Sequence, residues 1–397
     1  MELSVDFWNV IEENINAEPN SLRLKYSNKN SEILNFAITQ IDCRQRSKSK
    51  LASWIKNAHF LFPSTLSFEQ STSELLAEFH ASIISDSQTV LDMTCGLGID
   101  AMTIAKKSKY VKAIELNESI VAVATHNAKV CNISNIEFIN DDSIRYLKNT
   151  SECFDVIFVD PARRDFHNKR TFAFEDCLPD IVSNFDLISQ HASQLIIKAS
   201  PMLDITSILN QVKLVSDIWI LSIKNECKEI LIKVDFINKP QQYILHPINF
   251  TYGRNYIGTD IYSEREKANV NFIGEIATNN EYHWIYEPNS SYMKTFAWDL
   301  LCENFPKLEK LNTNTHLFLS TEFYEKFPGR VLKIVELMSL KGLKKLKGEK
   351  INIIIRNAPI TVESIKKQFK LQDGGNRFLY VCSFGNNNKT IAVIAEP

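Results

Sequence analysis

Four carboxylates and two glycines recur at the ends of apolar runs in the middle of this chain. Asp92 precedes Gly96 and Gly98 in VLDMTCGLGIDAMTIAKK, Glu115 closes VKAIEL, Asp142 follows NIEFIN, and Asp160 opens DPARR. Each apolar run reads as a strand, so the acids collect where strands end and loops begin. The glycines let backbone approach a ligand at a helix start, and Gly96, Gly98 and Ala101 fit the dinucleotide spacing G-x-G-x-x-A. A carboxylate ending the second strand can accept two hydrogen bonds from a ribose diol in either class of nucleotide ligand. A dinucleotide does not require acids after strands one, three and four together, whereas a cationic ligand tolerates them. Asp141 competes with Asp142 for the third of these places.

The elements that must carry these groups follow from periodicity. Residues 1–85 show helical spacing, as in Phe7, Val10 and Ile11 or Leu75, Leu76, Phe79 and Ile83, and read as a helical N-terminal cap. From 86 to 238 strands alternate with helices: TVLDMT, VKAIEL, IEFIND, FDVIFVD, QLIIKAS, DIWILSI and EILIKVDF. That order predicts an α/β fold with a seven-stranded, doubly wound, mostly parallel Rossmann-like sheet. Only KNEC joins the last two runs, too short for a crossover helix, so the seventh strand is predicted antiparallel. Residues 239–397 mix short strands and helices, predicting an α+β region.

Residues 65 to 238 resemble the class I S-adenosylmethionine-dependent methyltransferases. The resemblance rests on D-x-x-C-G-x-G at Asp92 to Gly98, on Glu115 and Asp142, on D-P-x-R at Asp160, and on seven strands ending in a hairpin. It implies S-adenosylmethionine as cofactor, with Asp92, Thr94, Gly96 and Gly98 at its amino acid end, Glu115 on its ribose and Asp142 on its adenine. Asp160 and Pro161 are then the catalytic pair. Proline has no N–H, so nearby carbonyls and the Asp160 carboxylate can hold an exocyclic amine with its lone pair aimed at a methyl group. Enzymes of this class that methylate base amines usually carry an aromatic at the position of Arg163. Here Phe166 can stack the base instead, or Arg163 and Arg164 can clamp phosphate or base. Uracil C5 methyltransferases share a D-P-P-R form and need a cysteine nucleophile; Cys177 and Cys227 lie downstream, in other settings. The stretch SFEQSTSELLAEFHASII is similar to one that covers the cofactor in trimethylguanosine synthase-like RNA methyltransferases, which would place Gln70 and Ser71 there. A plain helix cap by Ser71 or Ser73 explains the same residues.

The 397 residues carry a formal net charge of −2, so any nucleic acid partner must bind a local patch. Two basic runs qualify, CRQRSKSK at 43–50 and KGLKKLKGEK at 341–350; the second, with Lys344 and Lys345, lies in a region that looks like a THUMP-type RNA-binding module. Structured RNA, tRNA or rRNA, is the expected partner, and a base nitrogen the expected target. A methyltransferase for a small molecule or protein, and an inactive RNA-binding protein of the same fold, are the alternatives. The eight cysteines stand without CxxC pairs, so no metal is expected. The acidic N-terminus lacks a signal peptide pattern and no run approaches the roughly 18 apolar residues of a membrane span, so a soluble, cytoplasmic protein is expected.

Overall fold

The computed structural model describes residues 3–27, 31–163, 174–251, 254–257, 260–273, 282–385 and 387–397. The expected contacts of Arg164 and Phe166, and of the Arg163 side chain, lie outside the described residues. The chain divides into two compact units, Met1–Ser216 with Leu231–Gln241, and Asp217–Ile230 with Gln242–Pro397.

In the first unit, helices α1 (Val5–Glu13), α2 (Pro19–Lys25) and α3 (Glu32–Arg46) start at the N-caps Ser4, Glu18 and Ser31, whose side chains accept from backbone N–H groups of the first turn. Their apolar faces bury Phe7, Ile11, Leu22, Ile38 and Ile41 in one cluster. Part of the basic run at the end of α3 turns inward, while Arg46 and Lys48 stay exposed. Arg44 is buried and donates to the carbonyls of Ala58 at 2.7 Å and Phe60 at 2.5 Å. Lys50 donates to the carbonyls of Phe68 and Glu69 at 2.7 and 2.8 Å, and Arg46 pairs with Glu69 at 2.5 Å. These contacts tie α3 to the segments that follow it in the helical region. Helices α4 (Thr65–Gln70) and α5 (Glu74–Ser82) then lead into the sheet.

The sheet is built from β1 (Thr89–Asp92), β2 (Tyr110–Glu115), β3 (Ile136–Asn140), β4 (Phe154–Val159) and β7 (Ala192–Ala199). In the chain between β4 and β7, β5 (Ala162–Arg163) and β6 (Cys177–Leu178) form a separate two-stranded antiparallel ladder. The order β3-β2-β1-β4-β7 is parallel throughout, with β9 (Glu226–Asp235) beyond β7. Helices α6 (Ile99–Ala105), α7 (Glu118–Val130), α8 (Ser143–Asn149) and α9 (Phe185–His191) lie in the four crossings between these parallel strands, and α10 (Ile205–Gln211) follows β7. Each crossing starts the next strand at the same end of the sheet, which is why the acids that close β1, β2 and β4 stand together. The β8 (Val215–Ile223) to β9 connection is the two residues Lys224 and Asn225, both at positive φ (51° and 64°), the backbone of a tight hairpin turn.

In the second unit the sequence departs from a simple end at the seventh strand. There β10 (Ile244–Thr251) pairs in parallel with β8 from Ile244↔Asp217 to Phe250↔Ile223, and β11 (Arg254–Ile257) and β12 (Ile261–Tyr262) pair with β10. Pro247 within β10 disguises it as a loop in the sequence. His246 anchors it, bonding Asp217 at 2.9 Å and stacking on Trp219 at 5.1 Å. A separate seven-stranded sheet contains β13 (Trp284–Pro288), β14 (Glu309–Lys310), β15 (Phe318–Ser320), β16 (Gly329–Met338), β17 (Asn352–Arg356), β18 (Phe378–Phe384) and β19 (Lys389–Glu396). One core cluster joins Leu343 and Leu346 of the 3-10 segment Leu340–Leu346, and Ile351 just before β17, to Ile365 and Phe369 of helix α11 (Val362–Phe369). Burial of those leucines turns Lys341, Lys344, Lys345 and Lys347 outward, and α11 adds exposed Lys367 and Lys370.

Candidate active site

The loop after β1 is shaped by backbone that only glycine adopts readily. Gly96 takes φ +53° with no atom within 4 Å of where a Cβ would stand, so its backbone faces open space. Gly98 takes φ +84°, and a Cβ there would touch Ala124 and Phe138 at 3.4 Å, where α6 packs close to its neighbours. Glu115 braces the loop from β2: Oε2 accepts from the Gly96 N–H at 3.0 Å and Oε1 from the Asn117 N–H at 2.9 Å. Each oxygen keeps acceptor capacity for a further donor such as a hydroxyl.

Asp92 lies beneath the loop with 1% of its surface exposed. Its Oδ1 accepts from the Thr94 N–H at 2.9 Å, and the Thr94 hydroxyl in turn accepts from the Asp160 N–H at 2.7 Å, tying the ends of β1 and β4 together. Burial pushes the Asp92 carboxyl up to about 8; Asp100, Asp160 and Glu115 push the same way, and the Thr94 N–H opposes. A fixed group of acids around a cradle of open backbone is a site that favours a cation.

Asp160 stands at the end of β4, directly before Pro161 and the β5–β6 ladder. Lys198, at the end of β7, places Nζ 2.7 Å from Asp160 Oδ2 and 3.0 Å from the Thr72 hydroxyl. Thr72 also bonds Asp100, which holds His80 Nδ1 at 2.8 Å. Burial would raise the Asp100 carboxyl, but His80, Lys198 and Thr72 outweigh it and hold the group down to about 2. The sequence reading missed all of Thr72, His80, Asp100 and Lys198. A lysine inside the apolar run QLIIKAS was the one available signal.

The remaining expected residues are placed as follows. Asp142 caps α8, its Oδ1 accepting from the Arg145 N–H at 2.8 Å, while Asp141 Oδ1 accepts from the Asp142 N–H at 2.6 Å and from Arg145 Nε at 2.5 Å. These contacts of each acid fall on Oδ1, so Asp141, which also pairs with the Arg145 guanidinium, and Asp142 each keep Oδ2 for a further donor. Gln70 is exposed at the end of α4, and the Ser71 hydroxyl turns back to the Phe68 carbonyl at 2.8 Å. Ser73 starts α5 without a side-chain cap bond, so the loop is held by Thr72 instead. In the second unit Lys344 is exposed and Lys345 pairs with Glu336.

Residues 87–275 match the model for RNA cap guanine-N2 methyltransferases, 284–328 a ferredoxin-like domain and 329–397 a THUMP domain-like model. An uncharacterised RNA methyltransferase of Mycoplasma mobile is 30% identical over 146 residues, which are 36% of this chain and 40% of that one. A 23S rRNA (uracil-C5) methyltransferase of Vibrio cholerae is 34% identical over 83 residues, 20% of this chain and 19% of that one. The chain therefore spans less than half the length of these curated relatives. A crystallised candidate methyltransferase from Porphyromonas gingivalis W83 superposes with a TM-score of 0.85 over 100% of this chain and 99% of that one, at 24% identity, a likeness of fold. Residues 87–275 are therefore similar to the RNA cap guanine-N2 methyltransferases, and residues 329–397 to THUMP-like domains.

Proposed function

We propose that this protein transfers a methyl group from S-adenosylmethionine to a base nitrogen of structured RNA, tRNA or rRNA. The observation that carries the reading is the set of acids at the ends of adjacent strands, Asp92, Glu115 and Asp160 tied to the open Thr94–Gly96 loop and Asp142 after β3. This donor set fits a cationic nucleoside. Asp92 and the loop backbone would hold its amino acid end, Glu115 its ribose hydroxyls, and the spare oxygen of Asp142 its adenine amine. When bound, S-adenosylmethionine supplies a methyl group whose bond to sulfur breaks, with the pair left on sulfur, as the target nitrogen's lone pair forms the new bond. The chain's own part is alignment. Asp160 and the carbonyls freed by Pro161 accept from the exocyclic amine and aim its lone pair. The proton that nitrogen then sheds passes to the Asp160 carboxylate, whose side chain is 41% exposed and can release it to water.

The RNA part of the reading is supported by the cap guanine-N2 and THUMP-like matches and by the exposed lysines of the second unit. Carbon methylation of uracil is the runner-up, favoured by one observation: β6 sets Cys177 opposite Arg163, three residues beyond Asp160. Mass spectrometry of nucleosides from tRNA and rRNA of cells lacking the protein tests both. Loss of one N-methylated nucleoside supports the reading, loss of 5-methyluridine supports the runner-up, and a full complement refutes RNA as substrate.

A further inference from the structure

Lys198 is out of place as a structural residue. It sits between Ile197 and Ala199 in β7, next to the buried β4 run Val156–Val159, and its side chain is only 13% exposed. Removing an ammonium from water costs several kcal/mol unless strong partners compensate, so packing alone would select an apolar side chain here. Its partner, moreover, is an acid that packing does not need, since Asp160 is the more exposed of the two. The register Val159↔Ile197 brings the two residues off adjacent strand ends side by side. From there Nζ reaches Asp160 Oδ2 at 2.7 Å and Thr72 Oγ1 at 3.0 Å, and Thr72 is fixed in turn by Asp100 and His80.

We propose that Lys198 is a positioning residue for methyl transfer. It clamps Oδ2 of Asp160, so that Oδ1 is presented to the target amine in one orientation, and it uses Thr72 to lock the loop between α4 and α5 onto the same edge. The clamp also has an electrostatic share, because its positive charge pairs with Asp160 and helps to hold the Asp100 carboxyl down. The inference rests on the reading of Asp160 given above and goes beyond it by naming what holds that carboxylate still. An acid free to rotate still binds water and substrate, but it spends less time in the reactive geometry. The loss therefore falls on turnover and spares binding.

The test compares full-length wild type with Lys198→Met, Lys198→Arg and Thr72→Val. Methyl transfer is measured on total tRNA and rRNA from cells lacking the protein, alongside calorimetric affinity for S-adenosylhomocysteine, thermal melting, and crystal structures of wild type and Lys198→Met. Lys198→Met is expected to lower kcat roughly ten- to a hundredfold, with KM for RNA and nucleoside affinity within about twofold of wild type. Lys198→Arg should recover part of that loss, and Thr72→Val should show the same pattern more weakly. In the crystals Asp160 should occupy one rotamer in wild type and several in Lys198→Met. Unchanged kcat in Lys198→Met, or a loss matched by a fall in nucleoside affinity or melting temperature, overturns the proposal. If wild type methylates neither RNA, the substrate reading fails, and the Asp160 rotamer decides on Lys198 separately: an identical single conformer in Lys198→Met refutes it. Should Lys198→Met fail to fold, Thr72→Val carries the same kcat and rotamer comparison.

Discussion

Replacing Asp92 with Asn should stabilise the protein while damaging its cofactor site. The Asp92 carboxyl titrates near 8 in the folded chain, against 3.8 for the ordinary value, because it is buried among other acids. A carboxyl whose folded pKa is raised binds a proton more tightly in the folded state, so its contribution is most favourable below the unfolded value and is lost as pH rises through the folded one. At about pH 7 folding must therefore take up a proton that the unfolded chain has released. That is a gap of roughly three pH units at about 1.4 kcal/mol each, or about 4 kcal/mol at most. Asn carries no such charge and its Oδ1 can still accept from the Thr94 N–H, although its amide group needs an acceptor in a buried place. A net gain of about 2 kcal/mol at about pH 8 is expected, vanishing toward about pH 4 where both proteins are neutral at this position. Denaturant unfolding across that range measures it, and calorimetry with S-adenosylhomocysteine should show weaker binding by the same variant. If Asp92→Asn is less stable than wild type by a constant amount at every pH, Asp92 is an ordinary hydrogen-bonded acid and the electrostatic account of the site is wrong.

Three further outcomes are expected. Glu115→Ala should weaken nucleoside binding by about 2 to 4 kcal/mol, since two charge-assisted hydrogen bonds to hydroxyls are lost along with the brace on Gly96; titration calorimetry measures it, and wild-type affinity would place the ribose elsewhere. Reversing Lys341, Lys344 and Lys347 to Glu should raise KM for RNA and lower the salt slope of RNA affinity by roughly 0.7 to 0.9 per lost phosphate contact, leaving nucleoside affinity alone; filter binding at several salt concentrations tests this, and an unaltered slope would make the lysines a plain solvated face. Asp160→Ala should depress kcat at least roughly a hundredfold with little change in KM for RNA, measured by single-turnover methyl transfer, and equal losses in both would mean that it binds substrate generally.

The strand ends and their acids were legible because each pairs a local apolar run with a local turn signal, and the hairpin of β8 and β9 was legible from the shortness of KNEC. The braces of the site were not. Lys198 and Thr72 are 126 residues apart and Thr72 and Asp100 are 28 apart, contacts that no periodicity encodes. Ser71 and Ser73 carried the visible helix-cap signal, yet Thr72 between them makes the contacts that matter. Basic runs mislead in the same way. Charge spacing says nothing of whether carbonyls lie in reach, so Arg44 and Lys50 turn inward while Lys344, held up by buried Leu343 and Leu346, faces water.

The hairpin that belongs to both units sets a condition on synthesis. Residues 1–216 leave the ribosome first, but the strand that covers the outer edge of β7 is completed only by residues 231–235, after the whole tip of the hairpin has been made. Until then β7 presents a row of unpaired backbone groups flanked by Leu195, Ile196 and Ile197, the kind of edge that recruits foreign strands. The nascent chain thus passes through a window, about twenty residues long by the separation of those two boundaries, in which its nearly finished sheet lacks protection.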